Sequence, residues 1–468
     1  MNNKIVNISK KTFVNVVMLF VALLVFSIIA TYIIPRGMFG VNENGLEDYT
    51  NYIALEDKSG INIFKGIFAP ILVLFSKDGL SIIMLSLFLV VVSGTFQMMD
   101  DTNGIKIIVN KLISKFKNRR KGLIAIITFI FMCFGSFFGL FEEVLALLPI
   151  IIMLSISLGY DSFTGFLICI VATGFGFASG ITNPFTVIPA SEIIGVSPML
   201  NVWFRILVFA VMYALLLLYV FHHIRVISKD ASKSPTYEND KERKETLVVE
   251  PSENNNKIFL TYTIFLLTVL LSIITITSIE SIRSYSIVFL IGIFLIGGLI
   301  AGYVVERNFK VVIKSFLKGI VAALPAIVLV ILASSIKYVL DEGSVLATIA
   351  YSISSFIEGK NIYLVAILIY LVVLILEFFI SSSTAKCILV MGVLSYVNVE
   401  LSKEMLVLIY LFGDGYTNVL FPTSPVLLIG LSMIGMNYFT WIKKSKWLFL
   451  FNLIAVIALI LLAVVVGY

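Results

Sequence analysis

Residues Gly122–Leu158 read GLIAIITFIFMCFGSFFGLFEEVLALLPIIIMLSISL, a run of 37 that is apolar except at its centre. A helix crosses the hydrocarbon core with about 20 residues, so this run is too long for one ordinary crossing. Its centre holds Gly135-Ser-Phe-Phe-Gly139 and then Glu142-Glu143. Irregular backbone at membrane depth survives only inside protein or beside water. Half-helices with a glycine-rich tip and two acids therefore read as a re-entrant hairpin. Flanking charge leads to the same parity. Segment 100–121 carries Lys106, Lys111, Lys115, Lys117, Arg119, Arg120 and Lys121, and the linker Arg225–Lys257 carries seven further Lys or Arg. Basic loops of this kind stay in the cytoplasm. Between them lie the 37-residue run, a broken stretch Phe163–Gly195 and a crossing near Trp203–Phe221. A hairpin leaves two crossings and keeps both basic segments inside; a single crossing at 122–158 would put one of them outside.

Composition agrees with a membrane protein. Of 468 residues, 59% are hydrophobic and 13% charged, where a soluble domain has about 25% charged. Mean hydropathy is +1.05. A soluble enzyme, a disordered chain and a disulfide scaffold are excluded. Cys133, Cys169 and Cys387 lie in apolar stretches without metal-binding spacing. His222 and His223 close an apolar run, which suits an interface better than a catalytic triad. The net charge of +6 sits in short loops, so it orients the chain in a bilayer and does not point to nucleic acid. The first crossing, Phe13–Ile34, is too long for a signal-peptide core and is expected to stay uncleaved. Further crossings are Gly79–Met99, Ile258–Ile279, Tyr285–Val304, Gly319–Leu340 and Lys446–Tyr468, with Gly60–Phe75 interfacial. The expected fold is an all-α polytopic membrane protein.

The second half repeats the layout of the first. Gly104 and Gly343 are 239 residues apart, as are Lys121 and Lys360, Ala146 and Ala385, Gly174 and Gly413, and Gly176 and Gly415. In both halves an amphipathic arm (103–118, 344–358) precedes an interrupted apolar stretch (122–158, 361–398), then a broken span (163–195, 404–436), then a last crossing. The organisation read from this is a first repeat 1–222, a cytoplasmic linker 223–257 and a second repeat 258–468. Counted from a cytoplasmic N-terminus, Lys121 falls inside and Lys360 outside, so the repeats are inverted. Inverted repeats with broken helices are the layout of secondary transporters.

Four polar breaks then converge. The first hairpin offers Ser136, Glu142 and Glu143; the first broken helix Ser179, Gly180, Thr182, Asn183 and Pro184; the second hairpin Glu377, Ser381, Ser382, Ser383, Thr384 and Lys386; the second broken helix Asp414, Gly415, Thr417, Asn418, Pro422, Thr423 and Ser424. The prolines free backbone groups. Freed carbonyls with Ser179, Gly180, Thr182, Asn183, Gly415, Thr417 and Asn418 are candidate Na⁺ ligands. Half-helix N-termini suit a carboxylate. Substrate contacts are expected from Glu142, Glu143, Thr182, Asn183, Ser381–Thr384, Lys386, Asp414, Asn418, Thr423 and Ser424. Blander readings stand beside these: Glu377 and Lys386 neutralising each other, one acid of 142–143 or Asp414 capping a half-helix, and hydroxyls bonding their own helix. No Walker A pattern occurs, so ATP-driven transport has no support. A channel would need a continuous polar stripe, and a non-transporting receptor would leave the repeat unexplained.

Phe141-Glu-Glu-Val-Leu-Ala-Leu-Leu-Pro149, Leu158-Gly-Tyr-Asp-Ser162, Gly174-Phe-Gly-Phe177 with Thr182-Asn-Pro-Phe-Thr186, and Phe412-Gly-Asp-Gly-Tyr-Thr-Asn418 with Pro422-Thr-Ser424 resemble the YfcC family. That family is grouped with DcuC-type C4-dicarboxylate carriers in the ion transporter superfamily. The resemblance spans nearly the whole chain, including Ile34-Pro-Arg-Gly-Met-Phe39. It implies a dimerising scaffold and an elevator-like transport domain in a bacterial cytoplasmic membrane. It also implies Na⁺ and carboxylate binding at Thr182, Asn183, Thr417, Asn418, Thr423, Ser424 and Ser381–Thr384. One departure is Ile380-Ser-Ser-Ser-Thr-Ala-Lys386 after Glu377, where many members have Pro-Ser-Gly-Ser-Gly-Gln after Asn. The expected substrate is a small carboxylate-bearing metabolite, either an amino acid such as arginine or ornithine or a C4-dicarboxylate. It would move by Na⁺ or H⁺ coupling or by exchange, with no other cofactor.

Overall fold

The structure, a computed structural model, describes residues 10–41, 47–56, 59–116, 119–245, 255–283, 285–357, 360–379, 383–396 and 401–468. Among them, seven helices are long and apolar enough to cross a membrane.

The helices gather in two bundles. The first contains α1 (Lys10–Ile33), α2 (Gly79–Asp101), α3 (Gly104–Phe116), α11 (Asn255–Ser278), α12 (Ser286–Gly292), α13 (Gly298–Glu306) and α14 (Phe309–Glu342). A π turn, Ile293–Gly297, joins α12 and α13 into one crossing. Helix α14 is its spine, with α1 and α2 along its length. Ser93 donates to the Gly319 carbonyl at 2.9 Å, and Thr95 reaches the Phe294 carbonyl at 3.0 Å. Helix α14 turns Phe316, Ala323, Ala326 and Val330 inward and leaves Leu317, Val321, Leu324 and Val328 exposed. That outer stripe recurs every three to four residues and is what lipid tails would cover.

The second bundle contains α4 (Arg120–Cys133), α5 (Leu148–Ser157), α6 (Ser162–Phe166), α7 (Ala172–Ala178), α8 (Val187–Ile194), α9 (Val202–Lys229), α16 (Ile362–Phe379), α17 (Ser383–Tyr396), α18 (Lys403–Thr417), α19 (Pro425–Met433) and α20 (Tyr438–Val465). Two glycines of the 239-residue spacing sit at close crossings. A Cβ on Gly176 would lie 2.0 Å from the Met132 carbonyl oxygen, and one on Gly415 would lie 2.0 Å from the Ala178 backbone. Trp441 is buried; its indole N–H donates to the Val419 carbonyl at 3.0 Å, and its ring meets Phe163 and Phe166 edge to face.

Three features depart from the sequence reading. The fold is not purely helical: β1 (Gly37–Val41) and β2 (Glu47–Ala54) form an antiparallel hairpin after α1. It rests on α15 (Leu346–Ile357), where Tyr52 bonds Thr348 at 2.8 Å and stacks on Tyr351. The first arm of the 122–158 run is longer than a half-helix: a π turn, Phe134–Phe138, extends α4 to 19 residues, one of the seven helices of crossing length, before the chain turns back into the shorter α5. The polar linker is partly helical: α9 runs on to Lys229, and α10 (Tyr237–Glu245) folds back onto the second bundle.

That return is built from buried polar groups. Asp161 caps α6 by accepting from the Thr164 N–H at 2.8 Å, and also accepts from His223 and Ser234 at 2.8 and 2.7 Å. Asp240, 3% exposed, accepts from the Ser162 N–H at 2.8 Å and from Thr236 at 2.7 Å. Arg243 donates to Ser162 Oγ at 2.9 Å and to the Met433 carbonyl at 2.5 Å. Arg120 donates to the Leu158 carbonyl at 3.0 Å, so the two ends of the 37-residue run meet. Lys444 donates to the Lys233 carbonyl at 3.2 Å. Arg120, the linker and Lys444 thereby gather at one end of the molecule.

Candidate functional site

Helix α4 with its π turn stops at Gly139, whose φ of +65° is a left-handed turn that side chains other than glycine rarely adopt. The backbone before it is stitched to the broken helix. Asn183 Nδ2 donates to the Gly135 carbonyl at 3.1 Å, the Ile181 N–H to the Ser136 carbonyl at 3.0 Å, and Thr182 Oγ1 to the Phe137 carbonyl at 3.1 Å. In return, Ser136 Oγ donates to the Ser179 carbonyl at 2.7 Å. These bonds hold the tip so that Glu142 and Glu143 face the first bundle.

There they line a cavity of about 330 Å³ between the bundles, at the small end of the range typical for metabolite sites. The first bundle supplies Asp78, Ser81, Ser286, Ser334 and Lys337; the second supplies Glu142, Glu143 and Asn418. Lys337 donates to Asp78 at 2.5 Å. Ser286 donates to Glu143 Oε1 at 3.3 Å, while Glu143 Oε2, in a side chain 4% exposed, has no hydrogen-bond partner among the described residues. Asn418 turns its amide N–H to the Asp414 carbonyl at 2.8 Å. Among the described residues, three carboxylates thus face one ammonium.

The residues expected at the site divide into groups. Glu142, Glu143 and Asn418 line the cavity. Ser179, Gly180, Thr182 and Asn183 lie behind the tip, with Ser179, Thr182 and Asn183 hydrogen-bonded to it as described; Asn183 also accepts from the Phe185 N–H at 2.9 Å. Asp414, Gly415 and Thr417 are buried at the contact of α18 with α16 and α7, where Thr417 Oγ1 lies 3.3 Å from Glu377 Oε2. Thr423 and Ser424 are buried; Ser424 caps α19 through the Leu427 N–H at 3.4 Å. Ser381 and Ser382 lie outside the described residues, as do the side chains of Ser383, Thr384 and Lys386.

Asp78, Ser286 and Lys337 were not among the expected residues. One signal could have found Lys337: a lone lysine inside an apolar run is a functional candidate by default. Asp78 precedes an apolar helix, as helix-starting acids do, yet its side chain does not cap α2.

Residues 13–465 match the family described as DcuC, C4-dicarboxylate anaerobic carrier. The chain belongs to that family. It is a multi-pass membrane transporter and not an enzyme. The putative basic amino acid antiporter YfcC of Escherichia coli K12 is 26% identical over 476 residues, covering 92% of each chain. An uncharacterized protein of Haemophilus influenzae is 22% identical over 76% of this DcuC-family chain and 70% of its own. Among solved structures, the Alcanivorax borkumensis YdaH transporter aligns at a TM-score of 0.47 and 15% identity, covering 96% of this chain and 98% of its own. Neisseria gonorrhoeae MtrF aligns at 0.44 and 16%, covering 95% and 94%.

Proposed function

We propose that this secondary transporter exchanges cationic amino acids, binding them in the cavity between the two bundles. The observation that carries the reading is the charge of that cavity. Two unit charges 4 Å apart interact by about 4 kcal/mol at the effective dielectric of a protein site. A dicarboxylate would add two negative charges to a cavity whose described lining already sets Asp78, Glu142 and Glu143 against the one ammonium of Lys337. A cation relieves that excess. The same excess opposes moving the unloaded site through a bilayer, which favours exchange over one-way return. The relative named as a putative basic amino acid antiporter has the same sense.

Alternating access would come from movement of the hairpin-bearing bundle against the α14 bundle. The constant 239-residue spacing supports an inverted repeat, and the meeting of Arg120 with Leu158 supports a hairpin that returns to its own side. A cytoplasmic linker, a bacterial inner membrane and a homodimer belong to the same proposal. A C4-dicarboxylate substrate is the second reading, favoured by the family's description and by Lys337.

The test is counterflow in proteoliposomes preloaded with arginine or with succinate. Labelled arginine entering only arginine-loaded vesicles, without Na⁺, is expected. Succinate exchange with no arginine exchange would overturn the cationic reading. Flux that neither saturates nor accelerates with internal substrate would mark a channel.

A further inference from the structure

We propose that Lys337 and Asp78 anchor the substrate's head group, so that the site takes an α-amino acid with a cationic side chain and discriminates against the same cation lacking its α-carboxylate. This rests on the cationic reading above and adds to it the residues that read the head group.

Lys337 is 9% exposed and faces the cavity from α14, with its Nζ on Asp78 Oδ2. Both belong to the first bundle. Across the cavity, the second bundle presents Glu142 and Glu143, and Glu143 Oε2 has no hydrogen-bond partner among the described residues. Among the described residues the walls therefore differ: one carries an ion pair, the other two acids.

An α-amino acid head group is the complement of the first wall. Its carboxylate pairs with Lys337 and its ammonium with Asp78, so one ion pair becomes two and no buried charge loses a partner. The side-chain cation then pairs with Glu142 and Glu143. Other ligands leave a charge stranded, which is costly in a buried site. A diamine or decarboxylated guanidine meets the acids but presses a cation toward Lys337. A dicarboxylate meets Lys337 but repels Asp78 and Glu143.

The test uses arginine counterflow in the full-length protein, with competition by agmatine, which lacks the carboxylate, and by argininic acid, which lacks the α-amine. The wild-type protein is expected to prefer arginine to either analogue by about tenfold or more. Lys337→Gln should shrink the arginine-to-agmatine preference about tenfold, and Asp78→Asn the arginine-to-argininic acid preference similarly. A purely structural ion pair would change the rate and leave both ratios unmoved. The double variant Asp78→Asn with Lys337→Gln strands neither charge and is run beside the single variants to guard against misfolding. Arginine exchange with wild-type ratios in the folded double variant overturns the anchor assignment alone. A wild-type protein that exchanges no cationic compound overturns it together with the cationic reading.

Discussion

Glu143 accepts from Ser286 with one carboxylate oxygen and faces the cavity with the other, which has no hydrogen-bond partner among the described residues. A buried acceptor left without a donor is costly, and the cationic ligand proposed above would satisfy it. Glu143→Gln keeps the shape and an acceptor for Ser286 but removes the charge. We expect kcat/KM for the cationic substrate to fall at least about tenfold while thermal stability holds or rises. A variant that loses stability and transports normally would contradict this. The two asparagines should separate. Asn183 bonds the Gly135 carbonyl and the Phe185 N–H from a fully buried position. Asn183→Ala is therefore expected to cost about 1–3 kcal/mol in unfolding experiments. Asn418→Ala, at the cavity wall, should lower transport with little change in melting temperature. The sequence made both asparagines look equivalent, each beside a threonine in a proline-broken helix. Only packing distinguished them, because what an amide touches depends on the tip folded over it.

At the scale of elements, the close crossings and the linker invite separate tests. Gly176→Ala or Gly415→Ala would drive a methyl group into backbone, which cannot yield as a flexible side chain does. A loss of about 1–3 kcal/mol by thermal unfolding is expected for each. The linker is held by Asp240 and Arg243, and Arg243→Ala removes the guanidinium beside the buried Asp240 carboxylate and the bonds to Ser162 and Met433. Release of 237–245 should appear as faster proteolysis there, with transport still measurable. Acidity acts on the neighbouring Asp161. Burial works to raise its carboxyl, but hydrogen bonds from His223, Thr164 and Ser234 outweigh this and hold it below its ordinary value. A carboxyl depressed on folding contributes stability above its unfolded value of about 3.9, and that contribution is lost as pH falls through the lower folded value. Linker proteolysis should thus stay slow down to about pH 4 and rise only below it. The linker's polarity was plain in the sequence; its docking was not, since the partners Ser162 and Met433 belong to helices far away in the chain.

For the whole molecule, the decisive experiment is sidedness. Cysteine placed at Lys121 is expected to label from the cytoplasm and cysteine at Lys360 from outside, in intact cells with an impermeant maleimide. Labelling of both from one side would remove the inverted repeat and the access mechanism built on it. The sequence alone determined that the chain lives in a bilayer, because 59% apolar residues in runs of crossing length have no other stable solvent. It also marked the breaks near 134–142 and 179–186, where glycine, proline and paired acids cluster, although the lone Pro325 lies inside the unbroken α14. Tertiary structure decided which breaks share a cavity. Lys337 and Asp78 are 259 residues apart, and nothing in either one's neighbourhood names the other. They meet because α2 packs along α14, and that packing results from many weak apolar contacts whose pairing no short stretch of sequence encodes.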